Sequence, residues 1–130
     1  MDDRTRMFFE EFGARGLGIL TFSLMSVGAV LYGAEGRILF QAQLLMSFCF
    51  VGSVVLLAVR MYRKGDFSLS TYSKLGSSPL KFITTFLAGS VLAVTILRTF
   101  GTAAWIQAFF GLLGLSFAMI ALWWYLERGD

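Results

Sequence analysis

Four long stretches of the chain, at 16–33, 38–59, 82–97 and 102–126, are almost free of charged residues. Each approaches the roughly 20 residues that a helix needs to cross a bilayer, where backbone polar groups have to be satisfied within the segment. Hydrophobic residues make up 57% of the chain and charged residues only 15%. A soluble four-helix bundle would need a polar stripe on each helix, and none of the four stretches has one. The chain is therefore predicted to be an all-α integral membrane protein with four transmembrane helices.

An internal repeat organises the four predicted spans. Residues 19–30 recur at 83–94 with seven of twelve positions identical, and the same offset of 64 pairs Gln43 with Gln107. We interpret this as a tandem duplication, with a first two-helix repeat at 16–66 and a second at 80–130. A segment at 1–15 precedes them, and a basic, serine-rich loop at 67–79 joins them. Because each repeat holds two spans, the prediction is two parallel helical hairpins related by a pseudo-two-fold axis along the membrane normal.

The basic residues predict the orientation. Nine of the 11 Lys and Arg residues lie in the N-terminal segment, the middle loop and the tail, whereas only Arg37 and Arg98 lie in the other two loops. Under the positive-inside rule, both termini and the middle loop are expected on the cytoplasmic side. The membrane itself is expected to be a cell (inner or plasma) membrane.

The residues expected at the cytoplasmic membrane interface are aromatic and basic, as is usual there. They are Tyr62, Trp123, Trp124, Tyr125, Arg60, Arg63 and Lys64. The basic side chains should contact anionic lipid headgroups, at roughly 1 kcal/mol each. Nucleic acid is not expected as a partner, because the chain has no long basic face.

Two cytoplasmic segments have further local predictions. Phe8 and Phe12 lie one helical turn apart, which indicates a short helix in the membrane interface or a partner-docking element. In the middle loop, the alternation of Phe67, Leu69 and Thr71 is compatible with a short strand-like stretch.

The positions that match between the repeats project onto one face of the first and third helices. We expect these faces to meet near the pseudo-axis or to pack on the hairpin partner. Small residues four apart, such as Gly89 with Ala93 and Gly114 with Ala118, favour close helix packing, within the chain rather than between copies. The matched face comprises Ile19, Phe22, Ser26, Ala29 and Val30 in the first repeat, and Ile83, Phe86, Ser90, Ala93 and Val94 in the second.

Polar side chains within the spans give the candidate ligand or pore residues, which are Gln41, Gln43, Gln107, Ser26 and Ser90. A buried amide carries donors and an acceptor that need partners. Gln43 and Gln107 either line a small ligand or ion site as a symmetry-related pair, or form interhelical hydrogen bonds that fix the helix register. The span hydroxyls of Thr21, Thr84, Thr85, Ser47, Ser53 and Thr95 are expected to bond the carbonyl one turn back.

Missing residue types exclude several kinds of chemistry. The chain has no His, and no Asp or Glu lies inside a predicted span, which argues against a proton- or cation-coupled carrier and against His-based catalysis or metal binding. Cys49 is the single cysteine, so an intrachain disulfide is excluded. We therefore expect no enzymatic activity, no metal and no cofactor.

Three functions remain open from the sequence. The favoured one is an accessory, assembly or regulatory subunit that binds a membrane-protein partner or a second copy. The alternatives are an oligomeric pore or small-solute facilitator lined by Gln43 and Gln107, and a lipid- or quinone-binding module that uses Trp123, Trp124 and the basic loop.

Overall fold

A computed structural model describes residues 3–75 and 79–128, and those residues form helices and short connections only. Residues 1–2, 76–78 and 129–130, which fall in the predicted N-terminal segment, middle loop and second repeat, lie outside the described part. The helices are α1 (Asp3–Phe8), a π-helical segment (Phe9–Gly16), α2 (Leu17–Val30), α3 (Gly36–Lys64), α4 (Leu69–Lys74), α5 (Pro79–Thr99) and α6 (Thr102–Arg128).

Four helical runs are long and apolar enough to cross a membrane. They cover Asp3–Val30, Gly36–Lys64, Pro79–Thr99 and Thr102–Arg128, with 28, 29, 21 and 27 residues. The prediction of an all-helical protein with four candidate membrane spans is thereby confirmed. The first run begins before the predicted span 16–33 and stops short of its end, at Val30. The second and third runs extend past their predicted spans at both ends, and the fourth extends only at its C-terminal end.

The first run is continuous from Asp3 to Val30, so the helix does not end where the predicted N-terminal segment meets the first span. The π-helical turns of Phe9–Gly16 join α1 to α2 without an interruption. Gly13 is buried there, and a Cβ at this position would lie 3.2 Å from the Cε of Met119 in α6. The π-helical segment is thus packed on the second half of α6.

The four long helices pack in an order that differs from their order in the chain. The most extensive contacts join α2 with α5 and α3 with α5, followed by α2 with α6. Only residues 31–35 connect α2 to α3, yet α3 packs on α5. The short turns at Gly33 (φ 75°) and Gly101 (φ 94°) use a left-handed backbone conformation that glycine adopts without steric cost.

The core lies between α2, α5 and α6. Leu24, Ala93 and Val94 are completely buried, and Trp105 closes the α6 side. The α2 and α5 backbones approach each other at Gly89, where a Cβ would overlap the Oγ of Ser23. Burial of Gly89 and Ala93 between helices confirms the expectation of intramolecular packing for this pair. The same expectation is wrong for Gly114 and Ala118, which are exposed on α6.

The matched faces of the two predicted repeats are not buried equally, which corrects the expectation that both would be packed. In α5, Ser90, Ala93 and Val94 are buried, whereas Ala29 and Val30 in α2 are exposed. The cause is the unequal packing of the two helices, since α5 contacts α3 more extensively than α2 contacts α6. Phe22 and Phe86 do contact each other, with ring centroids 6.4 Å apart.

Two ends of the bundle can be told apart by their contacts. At one end, Arg6 pairs with Glu127 (Nε to Oε1, 3.3 Å), and Lys81 pairs with Glu11 (Nζ to Oε2, 3.0 Å). The N-terminal residues, α4, the start of α5 and the end of α6 therefore meet there, and we call this the basic end. The opposite end, which holds the turns at Gly33 and Gly101, is the turn end.

Candidate functional site

Gln43 ties α3 to α5 near the turn end. Its Nε2 donates to the Oγ1 of Thr95 across 3.1 Å, and its Oε1 accepts from the Nη1 of Arg98 across 2.6 Å. The Arg98 guanidinium also lies 4.5 Å from the ring centroid of Phe40, so its charge is partly covered by the aromatic face. In this arrangement both ends of the amide are used for interhelical bonding.

The other two candidate amides have a different environment. Gln107 and Gln41 are exposed, and neither side-chain amide has a hydrogen bond with a described residue. Since Gln43 bonds to α5 while α6 packs on α2, the structure does not join Gln43 and Gln107 by a hydrogen bond. A ligand site shared by the two amides stays a prediction.

The two candidate serines also differ. Ser90 is 1% exposed and donates to the carbonyl oxygen of Phe86 across 2.8 Å, whereas Ser26 is half-buried. Most other span hydroxyls bond in the same local way, which confirms the expectation for Thr21, Ser53, Thr84 and Thr85. Thr95 is the exception that matters, because it accepts from Gln43 and so contributes to the link between helices.

Trp105 makes the tightest contact between α6 and α2, and the sequence reasoning missed it. The indole Nε1 donates to the carbonyl oxygen of Leu24 across 3.0 Å. The ring occupies the space over Gly28, where an added Cβ would overlap it. The signal in the sequence is a tryptophan just inside the fourth span, where tryptophan commonly marks the membrane interface rather than a contact between helices. No local pattern indicates that Gly28 receives this ring.

A cluster around Lys81 holds the basic end together. Glu11 and Lys81 form an ion pair in which both side chains are only 9% exposed. The Lys81 Nζ also donates to the Tyr72 carbonyl oxygen across 3.2 Å and lies 4.3 Å from the Tyr72 ring centroid. Phe12 stacks on the Tyr72 ring, and the two ring centroids are 5.6 Å apart. Residues from three segments thus converge on one ammonium group.

The electrostatics of this cluster act on the Tyr72 phenol. Burial raises the pKa of Tyr72 above its ordinary value of 10.0, and the Glu11 carboxylate acts in the same direction. A hydrogen bond with the Thr85 side chain opposes the shift. Neutral Tyr72 is therefore the form that the folded structure favours.

A second polar cluster caps α4. The Asp66 Oδ1 accepts from the hydroxyls of Ser68 and Thr71, across 2.7 and 2.8 Å, and the Ser68 Oγ accepts from the Thr71 backbone N–H. These bonds satisfy the start of a helix, so Leu69–Lys74 is helical and the strand-like interpretation of 67–71 is wrong. The hydrogen bond from Ser68, followed by that from Thr71, lowers the pKa of Asp66 below its usual value.

A cleft of about 590 Å³ lies beside this cap at the basic end. Its lining combines α1, the end of α3, α4 and the connection between α3 and α4. The lining residues are Arg4, Met7, Lys64, Gly65, Asp66, Ser68, Ser70, Thr71 and Lys74.

The predicted interface residues lie toward this same end. Tyr62 is exposed and its ring contacts that of Phe67, while Trp124 is exposed beneath the Arg128 guanidinium at 4.8 Å. The indole nitrogen of Trp123 is buried and finds no hydrogen-bond acceptor among the described residues. The other members of the set are Tyr125, Arg63 and Lys64, which are exposed, and Arg60, which also lies at the surface.

Comparison of the chain with protein-family models, with curated proteins and with solved structures gave no match. The functional assignment therefore depends on the contacts and surfaces described above.

Proposed function

We propose that this chain is a small non-enzymatic membrane protein that serves as an accessory, assembly or regulatory subunit by binding another integral membrane protein. The observation that carries this proposal is an exposed row of small residues on α6, which begins at its N-terminal side with the exposed side-chain amide of Gln107. The row consists of Gln107, Gly111, Gly114, Ala118 and Ala121.

The geometry of the row suits helix-to-helix contact. Its members are separated by four, three, four and three residues, which places them on one face of α6. A Cβ added at Gly111 or Gly114 would meet no atom within 4 Å, so the backbone is open to an approaching helix. Small residues allow two helix backbones to come close enough for extensive van der Waals contact in a membrane.

Gln107 argues for a protein rather than lipid against this row. Lipid tails can cover glycine and alanine, but they offer no donor or acceptor to the amide of Gln107. A partner helix with a polar side chain at the matching depth would satisfy it, as Thr95 and Arg98 satisfy Gln43 in α3. Interhelical bonds of this kind contribute about 1 kcal/mol in membranes.

We also infer that the chain arose by tandem duplication, with both termini and the middle loop in the cytoplasm of a cell membrane. Adding 64 to the residue numbers maps α2 onto α5 and α3 onto α6. In a duplicated chain, the contact between α3 and α5 would therefore correspond to the contact between α6 and α2. Both contacts are present, and the Phe22 and Phe86 rings meet at equivalent positions. The surplus of Lys and Arg at the basic end supports the orientation.

Photo-crosslinking in native membranes tests the proposed function. A photo-reactive amino acid replaces Gly114 in the row, and the control places it at Gly52, an exposed glycine of α3 that also has open space around it. We expect a discrete adduct from position 114, to one identified membrane protein that also co-purifies in mild detergent. Equal crosslinking at both positions, or lipid adducts alone, would contradict the proposal.

The pore alternative has less support, because the Gln43 amide is already occupied by Thr95 and Arg98. Its decisive test is solute flux through liposomes that contain the purified protein. Flux that disappears when Gln43→Leu and Gln107→Leu are combined would place the pore ahead of the interaction subunit.

A further inference from the structure

The cleft at the basic end gathers cationic side chains from three separate elements. Arg4 comes from α1, Lys64 from the last turn of α3, and Lys74 from the last turn of α4. These residues are up to 70 positions apart in the chain. Their common location is therefore a product of the packing of α1 against α4 and of α4 against α3.

None of the three cations is compensated by a carboxylate in direct contact within the described part of the chain. The described ion pairs use Arg6 with Glu127, and Glu11 with Arg15 and Lys81. Asp66 is the one acid among the described residues that line the cleft. Its Oδ1 already accepts from Ser68 and Thr71, and Lys74 acts on it only through its longer-range charge. The cleft thus keeps an excess positive charge.

The remaining lining fits an anionic group better than a metal cation. Ser70 adds an exposed hydroxyl beside the cations, and Met7 adds an apolar wall on the α1 side. A metal cation would meet one carboxylate and three positive charges, which disfavours its binding. A phosphate group would accept from Arg and Lys donors and reduce their mutual repulsion.

We propose that this cleft binds a phosphate group, carried either by an anionic lipid headgroup or by a soluble phosphate compound. Arg4, Lys64 and Lys74 supply the charge, and Ser70 supplies a hydroxyl donor. The cleft lies just beyond the apolar part of α3, since Lys64 in its lining is the last residue of that helix, so an α3 that spans a bilayer would bring the cleft near the lipid headgroups. This site is distinct from the small-residue row on α6 and does not depend on it.

The test uses the full-length chain in phosphatidylcholine nanodiscs. In the lipid arm, phosphatidylglycerol is added and its retention by the protein is quantified by mass spectrometry. In the soluble arm, inorganic phosphate is titrated and binding is measured by calorimetry. The cleft variant combines Arg4→Gln, Lys64→Gln and Lys74→Gln. The control combines Arg6→Gln, Arg15→Gln and Arg128→Gln, which removes the same charge from the same end outside the cleft.

We expect the cleft variant to lose at least about tenfold in affinity for one of the two probes, because it lacks all three cationic side chains that would face the phosphate group. The control variant should keep affinity within about threefold of wild type. Loss in the lipid arm identifies a headgroup, and loss in the soluble arm identifies a free phosphate. Equal losses in the two variants, or no selective binding of either probe, would overturn the proposal.

Discussion

The indole Nε1 of Trp105 donates a hydrogen bond to the carbonyl oxygen of Leu24 across 3.0 Å, although the two residues are 81 positions apart in the chain. The bond fastens the start of α6 to the middle of α2. The ring fits because Gly28 presents no side chain there. In the contact between α3 and α5, Gln43 bonds Thr95 and Arg98 instead. The α2–α6 contact and the α3–α5 contact are thus held by different chemistry.

Gly28→Ala should destabilise the fold, because the new methyl group would overlap the Trp105 ring. Overpacking of this kind costs about 1–3 kcal/mol. Thermal unfolding in detergent measures the effect. Gly18→Ala is the matched control, since it lies in the same helix and has no atom within 4 Å of its Cβ position. Equal unfolding temperatures for the two variants would show that Trp105 does not occupy this space.

Gly89→Ala should destabilise the contact between α2 and α5. A Cβ at this position would overlap the Ser23 Oγ and lie 2.9 Å from the carbonyl oxygen of Leu20, which cannot turn away as a side chain can. We expect a loss of about 1–3 kcal/mol in the free energy of unfolding, measured by steric trapping in bicelles. Gly111→Ala, at an open position of α6, should leave that free energy unchanged or slightly higher.

Gln43→Leu should lower the free energy of unfolding by about 0.6–2 kcal/mol, because it removes the hydrogen bonds to Thr95 and Arg98. Gln107→Leu serves as the comparison, since the Gln107 amide bonds to no described residue and its loss should leave the stability of the monomer unchanged. Chemical denaturation in a mild detergent, at a concentration where the chain is monomeric, distinguishes them. Equal destabilisation would mean that Gln43 is not a link between helices.

Glu11→Gln should be strongly destabilising, because it leaves the Lys81 ammonium buried without its carboxylate. Breaking a buried pair costs about 3–5 kcal/mol, and we expect the lower end because Lys81 keeps its contacts with Tyr72. A double-mutant cycle with Lys81→Met measures the coupling. Arg6→Gln, which breaks the exposed pair with Glu127, should cost less than about 1 kcal/mol. Additive effects of Glu11→Gln and Lys81→Met would contradict the buried pair.

The pH dependence of stability should reveal the environment of Tyr72. Because burial and Glu11 raise the pKa of its phenol above 10.0, the folded chain holds this proton more tightly than the unfolded chain. The stabilisation is complete below about pH 10 and is lost as the pH rises through the raised pKa. Tyrosinate absorbance gives the measurement, as the difference between wild type and Tyr72→Phe. A midpoint at or below 10.0 in that difference would show that the phenol is not buried; Tyr125→Phe is the exposed control.

The sequence predicted the helices well because length and apolar composition alone decide whether a segment can satisfy its backbone in a membrane. The local hydroxyl bonds were also predictable, because Thr21, Ser53, Thr84 and Thr85 each bond a carbonyl oxygen within their own helix. The helix α4 was missed because its start depends on Asp66 and Ser68 acting together, whereas the hydrophobic alternation indicated a strand.

What the sequence by itself determined is the number, position and apolar character of the four long helices, along with Gln43 as a polar residue that needs partners. Only the tertiary structure decided that those partners are Thr95 and Arg98, that Trp105 fills the space over Gly28, and that Glu11 pairs with Lys81. The physical reason is that helix formation depends on neighbours within a few residues. Each of these contacts joins residues at least 50 positions apart, so it depends on how whole helices are placed against one another.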